Sequence, residues 1–213
     1  MKRLKAALFD LDGTLIDTED QYTGHWGAIG RKYRPDMPNF AYDIKGTTLK
    51  DILNKYFDRS LWEEVTKAVD DFELQMVFPR IAGAEAFIRD LKNHDVKCYV
   101  VTSSPESKMK ALEAKEPEFL ALFDKILTAE MFKASKPDPD CYLLGAKEAE
   151  AQIDECIVFE DAFTGLKAGM SAGIYTIGLA TVNSREAIKD KCNYVIDNFE
   201  GLNYNELLKI WNR

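Results

Sequence analysis

The sequence predicts an α/β fold with a doubly wound parallel sheet, and two observations lead to it. Short, almost wholly apolar runs alternate with helical patterns over most of the 213 residues, which is typical of parallel strands covered by helices on both faces. One long segment breaks this alternation, because residues 18–79 show helical periodicity and no convincing strand pattern. We therefore expect a Rossmann-like sheet core with an inserted all-helical cap domain.

Six runs predict the strands. In chain order they are Ala6–Phe9, Cys98–Thr102, Ile126–Leu127, Cys156–Phe159, Ile174–Ile177 and Tyr194–Ile196. Helices are expected between them. The segment 84–93, for example, places Phe87, Ile88 and Leu91 on one face, the spacing of an amphipathic helix.

The inserted segment predicts three helices. Three glycines weaken the first helix, and the third is predicted to begin at a capping box formed by Ser60 and Glu63. We expect residues 1–16 and 80–213 to form the core and residues 17–79 to form the cap. Because the cap begins directly after an acidic motif, a lid over an active site is favoured over a decorative subdomain.

Composition and charge argue against several functional classes. The net charge of −8 argues against nucleic acid or an anionic membrane as the main partner. The four cysteines form no CxxC pair, which favours reduced thiols in a cytosolic protein. The apolar run at the start is too short for a signal peptide, and no segment approaches the length of a membrane span. We expect a soluble, cytoplasmic protein, with a monomer as the default state.

Two acids follow the first predicted strand. Asp10 and Asp12 flank Leu11, and Gly13 and Thr14 supply a turn after them. Ligands of open parallel sheets bind beyond the carboxyl ends of the strands, so both carboxylates are expected at that edge. One can attack a substrate or bind a metal ion while the other holds a proton as general acid. Alone, the pair also fits an acidic loop that binds a divalent ion or caps a helix.

Three further positions carry polar residues suited to phosphate chemistry. Thr102 and Ser103 end the second predicted strand, Lys136 precedes a predicted helix start, and Glu160 and Asp161 end the strand that begins at Cys156. A turn, a surface charge and a helix cap would explain each feature separately. Their occurrence together, in this order, favours a single active site.

The four motifs resemble those of the haloacid dehalogenase superfamily, specifically its branch of helical-cap phosphatases and β-phosphoglucomutase-like enzymes. They are DLDGTLID (Asp10–Asp17), VVTSS (Val100–Ser104), SKPDPD (Ser135–Asp140) and VFEDAFTGLKAG (Val158–Gly169). The resemblance covers essentially the whole chain, including the position of the cap. The first motif is specific, because its five fixed residues coincide by chance on the order of once in a million start positions.

The resemblance implies a role for each matching residue. Asp10 would be the nucleophile that forms an aspartyl-phosphate, and Asp12 would protonate the leaving oxygen and then activate water. Thr102 and the backbone of Ser103 would bind the phosphoryl group, and Lys136 would neutralise charge beside it. The acid at position 12, which dehalogenases of the family lack, favours phosphate chemistry.

The resemblance also implies a Mg²⁺ ion. Its ligands would be Asp10, the carbonyl of Asp12, Asp161 and, directly or through water, Glu160. A cation is needed because several carboxylates would otherwise repel an anionic substrate. An oxygen-rich ligand set also fits Mg²⁺ better than zinc.

Cap residues favour a phosphatase over a mutase. Lys45 and Gly46 resemble the lysine–glycine pair of β-phosphoglucomutase caps, but the arginine expected three residues after that glycine is Leu49 here. Tyr22 replaces the mutase histidine and fits a pattern common among the hydrolases. Lys50 could replace the arginine, although it lacks the bidentate guanidinium fork.

We therefore expect hydrolysis of a small phosphorylated metabolite, first a sugar phosphate and then pyrophosphate or a nucleoside monophosphate. Substrate contacts are expected from Ser103, Tyr22, Lys45 and Gly46. A β-phosphoglucomutase-like sugar-phosphate mutase is the alternative. A non-catalytic, phosphate-responsive regulatory module is a more remote one.

Overall fold

The computed structural model describes residues 3–212, and a six-stranded parallel sheet forms its centre. The strands are β1 (Ala6–Phe9), β2 (Lys97–Val101), β3 (Lys125–Leu127), β4 (Cys156–Glu160), β5 (Tyr175–Leu179) and β6 (Tyr194–Ile196). Their spatial order is β3-β2-β1-β4-β5-β6, and every neighbouring pair is parallel. The predicted sheet is confirmed, since each predicted strand end lies within two residues of the observed one.

Helices cover both faces of this sheet. They are α5 (Ala84–Asn93), α6 (Glu106–Lys115), α7 (Pro117–Leu120), α8 (Asp140–Glu148), α9 (Phe163–Ser171), α10 (Arg185–Ile188) and α11 (Tyr204–Trp211). Successive residues of a strand point to opposite faces, so Ala7 and Phe9 join one apolar cluster whereas Ala6 and Leu8 join another. The doubly wound α/β prediction is therefore confirmed.

The central strand β1 is buried on both faces, and its packing fixes the residue that follows it. Phe9 stacks on Phe159 of β4 at 4.7 Å between ring centroids and meets the edge of Phe87 at 6.3 Å. Truncating such a ring to alanine costs about 3–5 kcal/mol of stability. The backbone N–H of Asp10 then donates to the carbonyl of Phe159 over 3.0 Å, so Asp10 leaves the sheet at a defined position.

The helical insert consists of α1 (Glu19–Tyr33), α2 (Phe40–Asp43), α3 (Leu49–Tyr56) and α4 (Trp62–Glu73). These helices surround an apolar cluster of their own. Helix α1 continues through its three glycines, and one of them has a packing reason. A β-carbon at Gly30 would lie 3.0 Å from that of Phe40, so the glycine lets α2 approach closely.

The predicted capping box at Ser60 and Glu63 is wrong. A 3₁₀ turn covers Arg59–Leu61, and α4 begins one residue later, at Trp62, with no side-chain cap. Leu61 and Trp62 pack against the apolar cluster of the insert. Burial of these two side chains therefore sets the start of the helix in place of the local capping pattern.

The two connections between insert and sheet lie side by side. The backbone N–H of Asp17 donates to Pro79 over 2.8 Å, and that of Ile81 donates to Leu15 over 3.0 Å. The chain therefore leaves the core and returns to it through one short antiparallel pair. Elsewhere in the described residues, all four cysteines are free and buried, and none of the helices has the length and apolar character that crossing a membrane requires.

Candidate active site

A buried ion-pair cluster lies at the carboxyl end of β1. Lys136 donates from Nζ to Asp10 Oδ1 over 2.5 Å and to Glu160 Oε1 over 2.8 Å. Burial raises the pKa of Asp10 to about 7, with Lys136 opposing that rise and Glu160 adding to it. Burial lowers the pKa of Lys136, but the charges of Asp10 and Glu160 outweigh it and raise that pKa well above its ordinary value. The lysine is therefore a permanent cation beside Asp10.

Glu160 uses both of its oxygens inside the protein. Oε1 also accepts from the Tyr142 hydroxyl over 3.2 Å, and Oε2 accepts from the backbone N–H of Ala162 over 2.8 Å. A β-carbon at Gly165 would lie only 1.6 Å from Oε1, so the first turn of α9 is pressed against this carboxylate. Glu160 and Asp10 therefore hold the same lysine.

Asp161 lies against the turn that follows Asp10. Its Oδ1 accepts from the Thr14 hydroxyl over 2.8 Å, and its Oδ2 is 2.4 Å from where a β-carbon at position 13 would be. Gly13 has a φ of +78°, so this position needs glycine both for its conformation and for the carboxylate beside it. Burial, together with the charges of Glu160 and Asp10, raises the pKa of Asp161 well above its ordinary value.

Asp12, two residues beyond Asp10, is bound by a lysine that the sequence analysis missed. Lys108 Nζ lies 2.5 Å from each carboxylate oxygen of Asp12. Thr18 and Ser104 also donate to this carboxylate from their hydroxyls. Lys108 is fully buried, and its ammonium lies 4.4 Å from the centre of the Tyr22 ring. The Asp12 side chain is therefore held at a different cation from that of Asp10.

A signal for Lys108 was present in the sequence. The lysine shares one face of α6 with Ala111 and Leu112, three and four residues further on, and both are buried. A cation within an apolar stripe needs a buried partner. The sequence could not say which acid supplies it, because Asp12 lies 96 positions away.

The donors at this edge of the sheet fit a magnesium ion. Within residues 3–212, no group of three or more His, Cys, Asp or Glu side chains is arranged for a metal. The carboxylates of Glu160 and Asp12 are held by lysines. Asp10, Asp161 and the Asp12 carbonyl remain, all hard oxygen donors. Mg²⁺ in proteins is commonly held by one or two carboxylates, completed by water and substrate phosphate.

The predicted phosphate-binding residues lie next to the insert. Thr102 is buried, and its hydroxyl accepts from the backbone N–H of Ser104 over 3.0 Å. Ser103 donates from its hydroxyl to the carbonyl of Gly46 over 3.3 Å. Gly46 has a φ of +72°, and a β-carbon there would lie 2.2 Å from the Thr164 hydroxyl. The loop of the insert at Gly46 therefore rests directly on the core.

A cavity lies between the insert and this edge of the sheet. From the core it is lined by residues that include Asp10, Asp12, Thr102, Ser103 and Glu160; from the insert, by Glu19, Tyr22, Trp26, Lys45, Gly46, Leu49 and Glu73. Eight of the ten predicted site residues are thus brought to one cavity. The other two are close by: Lys136 contacts Asp10, and Asp161 lies beside Gly13.

The insert side of the cavity is acidic and apolar. Among the described lining residues Lys45 is the only cation, and it is paired with Glu19 over 2.6 Å. Leu49 lines the cavity, whereas Lys50 is exposed and lies outside it. Tyr22 donates from its hydroxyl to Glu73 Oε1 over 2.8 Å. Glu19 and Glu73, like Lys108, were not predicted.

Comparison with known proteins gives the family. The model of the haloacid dehalogenase-like hydrolases matches residues 7–179, which is more than half of the chain. The chain belongs to this family. Validoxylamine A 7'-phosphate phosphatase from Streptomyces hygroscopicus subsp. limoneus is 29% identical over 197 residues, covering 87% of this chain and 90% of that protein. Hexitol phosphatase A from Escherichia coli (strain K12) is 29% identical over 187 residues, covering 83% of each. The predicted family and the predicted phosphoric monoester hydrolase are confirmed.

Solved structures give the fold of this haloacid dehalogenase-like hydrolase. A family IA, variant 3 hydrolase from Entamoeba histolytica has a TM-score of 0.83 at 24% identity, covering 98% of this chain and 100% of that one. A β-phosphoglucomutase from Clostridium difficile has a TM-score of 0.81 at 23% identity, covering 98% and 97%. One of these proteins is a hydrolase and the other a β-phosphoglucomutase, so the likeness gives the fold alone.

Proposed function

We propose that this chain is a Mg²⁺-dependent phosphatase that hydrolyses a small phosphorylated metabolite through an aspartyl-phosphate on Asp10. One observation carries the proposal. Asp10 faces a cavity closed by the insert, with a buried lysine on one of its oxygens and a second acid two residues along the chain. Nucleophile, countercharge and proton donor are the groups that this chemistry needs.

The first step is transfer of the phosphoryl group to the protein. Lys136 donates to Oδ1 of Asp10, and a carboxylate oxygen of Asp10 attacks phosphorus. An oxygen–phosphorus bond forms to Asp10 as the ester oxygen–phosphorus bond breaks. In its protonated form Asp12 gives that proton to the departing ester oxygen, which leaves as an alcohol, and Asp12 is left as the carboxylate that Lys108 binds. Thr102 and the backbone of Ser103 bind the transferring oxygens at the cavity floor.

The second step returns Asp10 to its starting state. Asp12 takes a proton from water as the water oxygen attacks phosphorus. The bond to Asp10 breaks, and inorganic phosphate leaves. Because Asp12 acts twice, the groups that hold its carboxylate affect both steps.

Asp10, the carbonyl of Asp12 and Asp161 would hold the Mg²⁺ ion. When bound, the ion offsets the negative charge of the two carboxylates and of the substrate phosphate. Glu160 would support this arrangement from behind, through its contact with Lys136.

Hydrolysis is favoured over a mutase reaction by the charge of the cavity. A mutase must hold a second phosphate opposite Asp10, which requires a free cation on that side. The described lining residues offer only Lys45, which is already paired with Glu19, and Leu49 is apolar. The relatives named as a hexitol phosphatase and a phosphorylated-carbohydrate phosphatase support a sugar or polyol phosphate as substrate. Residues 17–79 would act as the cap that encloses it.

A phosphometabolite panel tests this proposal. We expect release of inorganic phosphate with Mg²⁺ and at least a hundredfold slower release after chelation with EDTA, restored by added Mg²⁺. Isomerisation of glucose 1-phosphate, measured in the same reactions with a sugar bisphosphate present, should be absent. Rapid isomerisation would overturn the phosphatase assignment. If there were no turnover at all and no fluoride-trapped phosphate analogue formed on Asp10, the proposal that Asp10 is a catalytic nucleophile would be wrong.

A further inference from the structure

The loop that follows β5 contacts both turns that would hold the metal ion. Thr181 donates from its hydroxyl to the carbonyl of Gly13 over 2.5 Å, and Asn183 donates from Nδ2 to the carbonyl of Asp161 over 3.0 Å. The turn at Gly13 follows β1, whereas the one at Asp161 follows β4. One loop therefore bridges two ligand-bearing segments that are distant in the sequence.

This loop is itself anchored at both ends. The backbone N–H of Ala180 donates to the carbonyl of Ile196 in β6 over 2.8 Å. Ser184 caps α10, because its hydroxyl accepts from the backbone N–H of Ala187 over 3.3 Å. Residues 181–183 lie between these two anchors, so the loop can hold its partners at fixed positions.

The turn at Gly13 is confined from two directions. Its backbone N–H donates to the carbonyl of Ile16 over 2.8 Å, which fixes the peptide group that carries the Asp12 carbonyl. A β-carbon at Gly13 would lie 2.9 Å from Val182 Cγ2. The loop therefore packs directly against the turn that presents the Asp12 carbonyl.

Thr14 completes a ring of contacts between the three segments. Its hydroxyl donates to Asp161 Oδ1 over 2.8 Å, and Asn183 connects Asp161 back to the loop. This ring keeps the two ligand-bearing turns from moving apart. Mg²⁺ requires nearly octahedral oxygen ligands at about 2.0–2.1 Å, whereas Ca²⁺ takes about 2.3–2.6 Å and tolerates irregular geometry. A site that cannot widen favours the smaller ion.

We propose that Thr181 and Asn183 are positioning residues that set the separation of the Asp12 carbonyl from Asp161, and that they give the site its preference for Mg²⁺ over Ca²⁺. This inference rests on the proposed Mg²⁺-dependent function. Both side chains act through backbone carbonyls of the two turns. Groups that orient metal ligands in this way tune both the affinity and the choice of the ion.

The test measures metal affinity on the full chain, stripped of divalent ions with EDTA and dialysed. Mn²⁺ is titrated first, because the free ion is counted by electron paramagnetic resonance, and Mg²⁺ or Ca²⁺ then competes for the site. We expect Thr181→Val and Asn183→Ala each to raise the Mg²⁺ dissociation constant roughly 10- to 100-fold, the usual effect of losing a group that orients a metal ligand. The Ca²⁺ constant should change much less, because that ion tolerates a wider site.

Two further variants serve as controls. Thr181→Ser keeps the hydroxyl and should retain the preference for Mg²⁺. Asn198→Ala removes a comparable hydrogen bond, to the backbone N–H of Glu200 over 2.8 Å, from the loop after β6, and it should leave both constants unchanged. Equal weakening of the two ions in the Thr181 and Asn183 variants, or no change in either, would overturn the inference.

The same titration identifies the site being measured. Asp161→Asn should weaken both ions, and an unchanged Mg²⁺ constant in that variant would also contradict the inference. Phosphate release from the metabolite panel, with and without EDTA, reports separately on the proposed function. Mg²⁺-dependent release together with an unmoved Mg²⁺-to-Ca²⁺ ratio would reject the role of the loop alone. If no phosphate ester were hydrolysed, the proposed function itself would have failed.

Discussion

The acids on the core side of the cavity, here called the floor, have different surroundings from those on the insert side, called the roof. On the floor, Lys136 lies between Asp10 and Glu160, and Lys108 binds both oxygens of Asp12. On the roof, formed by the insert, Glu73 has no ion pair within residues 3–212 and one oxygen without a partner. In the proposed mechanism the floor binds the negatively charged phosphoryl group. The roof has no unpaired cation among its described lining residues, so it offers no counter-charge to a second phosphate.

Removing the nucleophile from the floor should have the largest effect. We expect Asp10→Asn to lower kcat about 10⁴-fold or more, since no other group can accept the phosphoryl group in its place. Steady-state phosphate release and mass spectrometry of trapped intermediates measure this. A variant that retained a tenth of wild-type activity would remove Asp10 from its proposed role. Unchanged circular dichroism serves as the folding control.

Replacing Lys108 on the floor should have the second-largest effect on kcat. Without it the Asp12 carboxylate loses its buried cation, and we expect Lys108→Met to lower kcat for alkyl phosphates about 10²- to 10³-fold, the range for general acid–base catalysis. The loss should be smaller for 4-nitrophenyl phosphate, because that leaving group needs no proton. Lys110→Met, at an exposed position of α6, is the control.

A double variant sharpens the Lys108 prediction. If Lys108 acts through Asp12, then adding Lys108→Met to Asp12→Asn should cause little further loss of kcat. Fully multiplicative losses would show that the lysine acts independently of Asp12. An equal loss for every leaving group would place the effect of Lys108 on the second step, in which Asp12 activates water.

On the roof, Glu73 should make stability depend on pH. Its folded pKa of about 7 lies above the ordinary 4.5, so the folded carboxyl keeps a proton that the unfolded chain has lost. Stability therefore falls as pH rises from about 4.5 to about 7. Relative to wild type, the unfolding free energy of Glu73→Gln should rise over that window by about 3 kcal/mol. Urea titrations across pH measure this, with Glu63→Gln as the control; a flat difference contradicts it.

The smallest effect is expected from a substitution that adds a cation to the roof. Leu49→Arg places a guanidinium where the cavity has an apolar side chain, and we expect KM for a sugar bisphosphate to fall about tenfold, the effect of a modest added ion pair. KM for the matching monophosphate should change less. Asn54→Arg, at an exposed position of the same helix, should leave both constants as they are. Equal changes in both would mean that the roof does not select on charge.

The site residues of the floor could be predicted from the sequence better than those of the roof, for a physical reason. Asp10, Thr102 and Glu160 follow buried strands, and parallel strands bring their carboxyl ends to one edge, so local pattern and spacing suffice to place them. Glu73 and Lys108 depend on partners 51 and 96 positions away, which no local pattern contains. The failed capping box at Ser60 has the same origin, because distant packing overrode a local preference.

The adjacent connections at Asp17 and Pro79 give the insert an unusual independence. The two ends of the insert are joined by a backbone hydrogen bond. The chain therefore returns to the core next to the point where it left. If the proposed function holds, the length and sequence of the insert helices could change without moving the ends of the strands. Asp10 and its lysine would then keep their positions while the residues that meet the leaving group change.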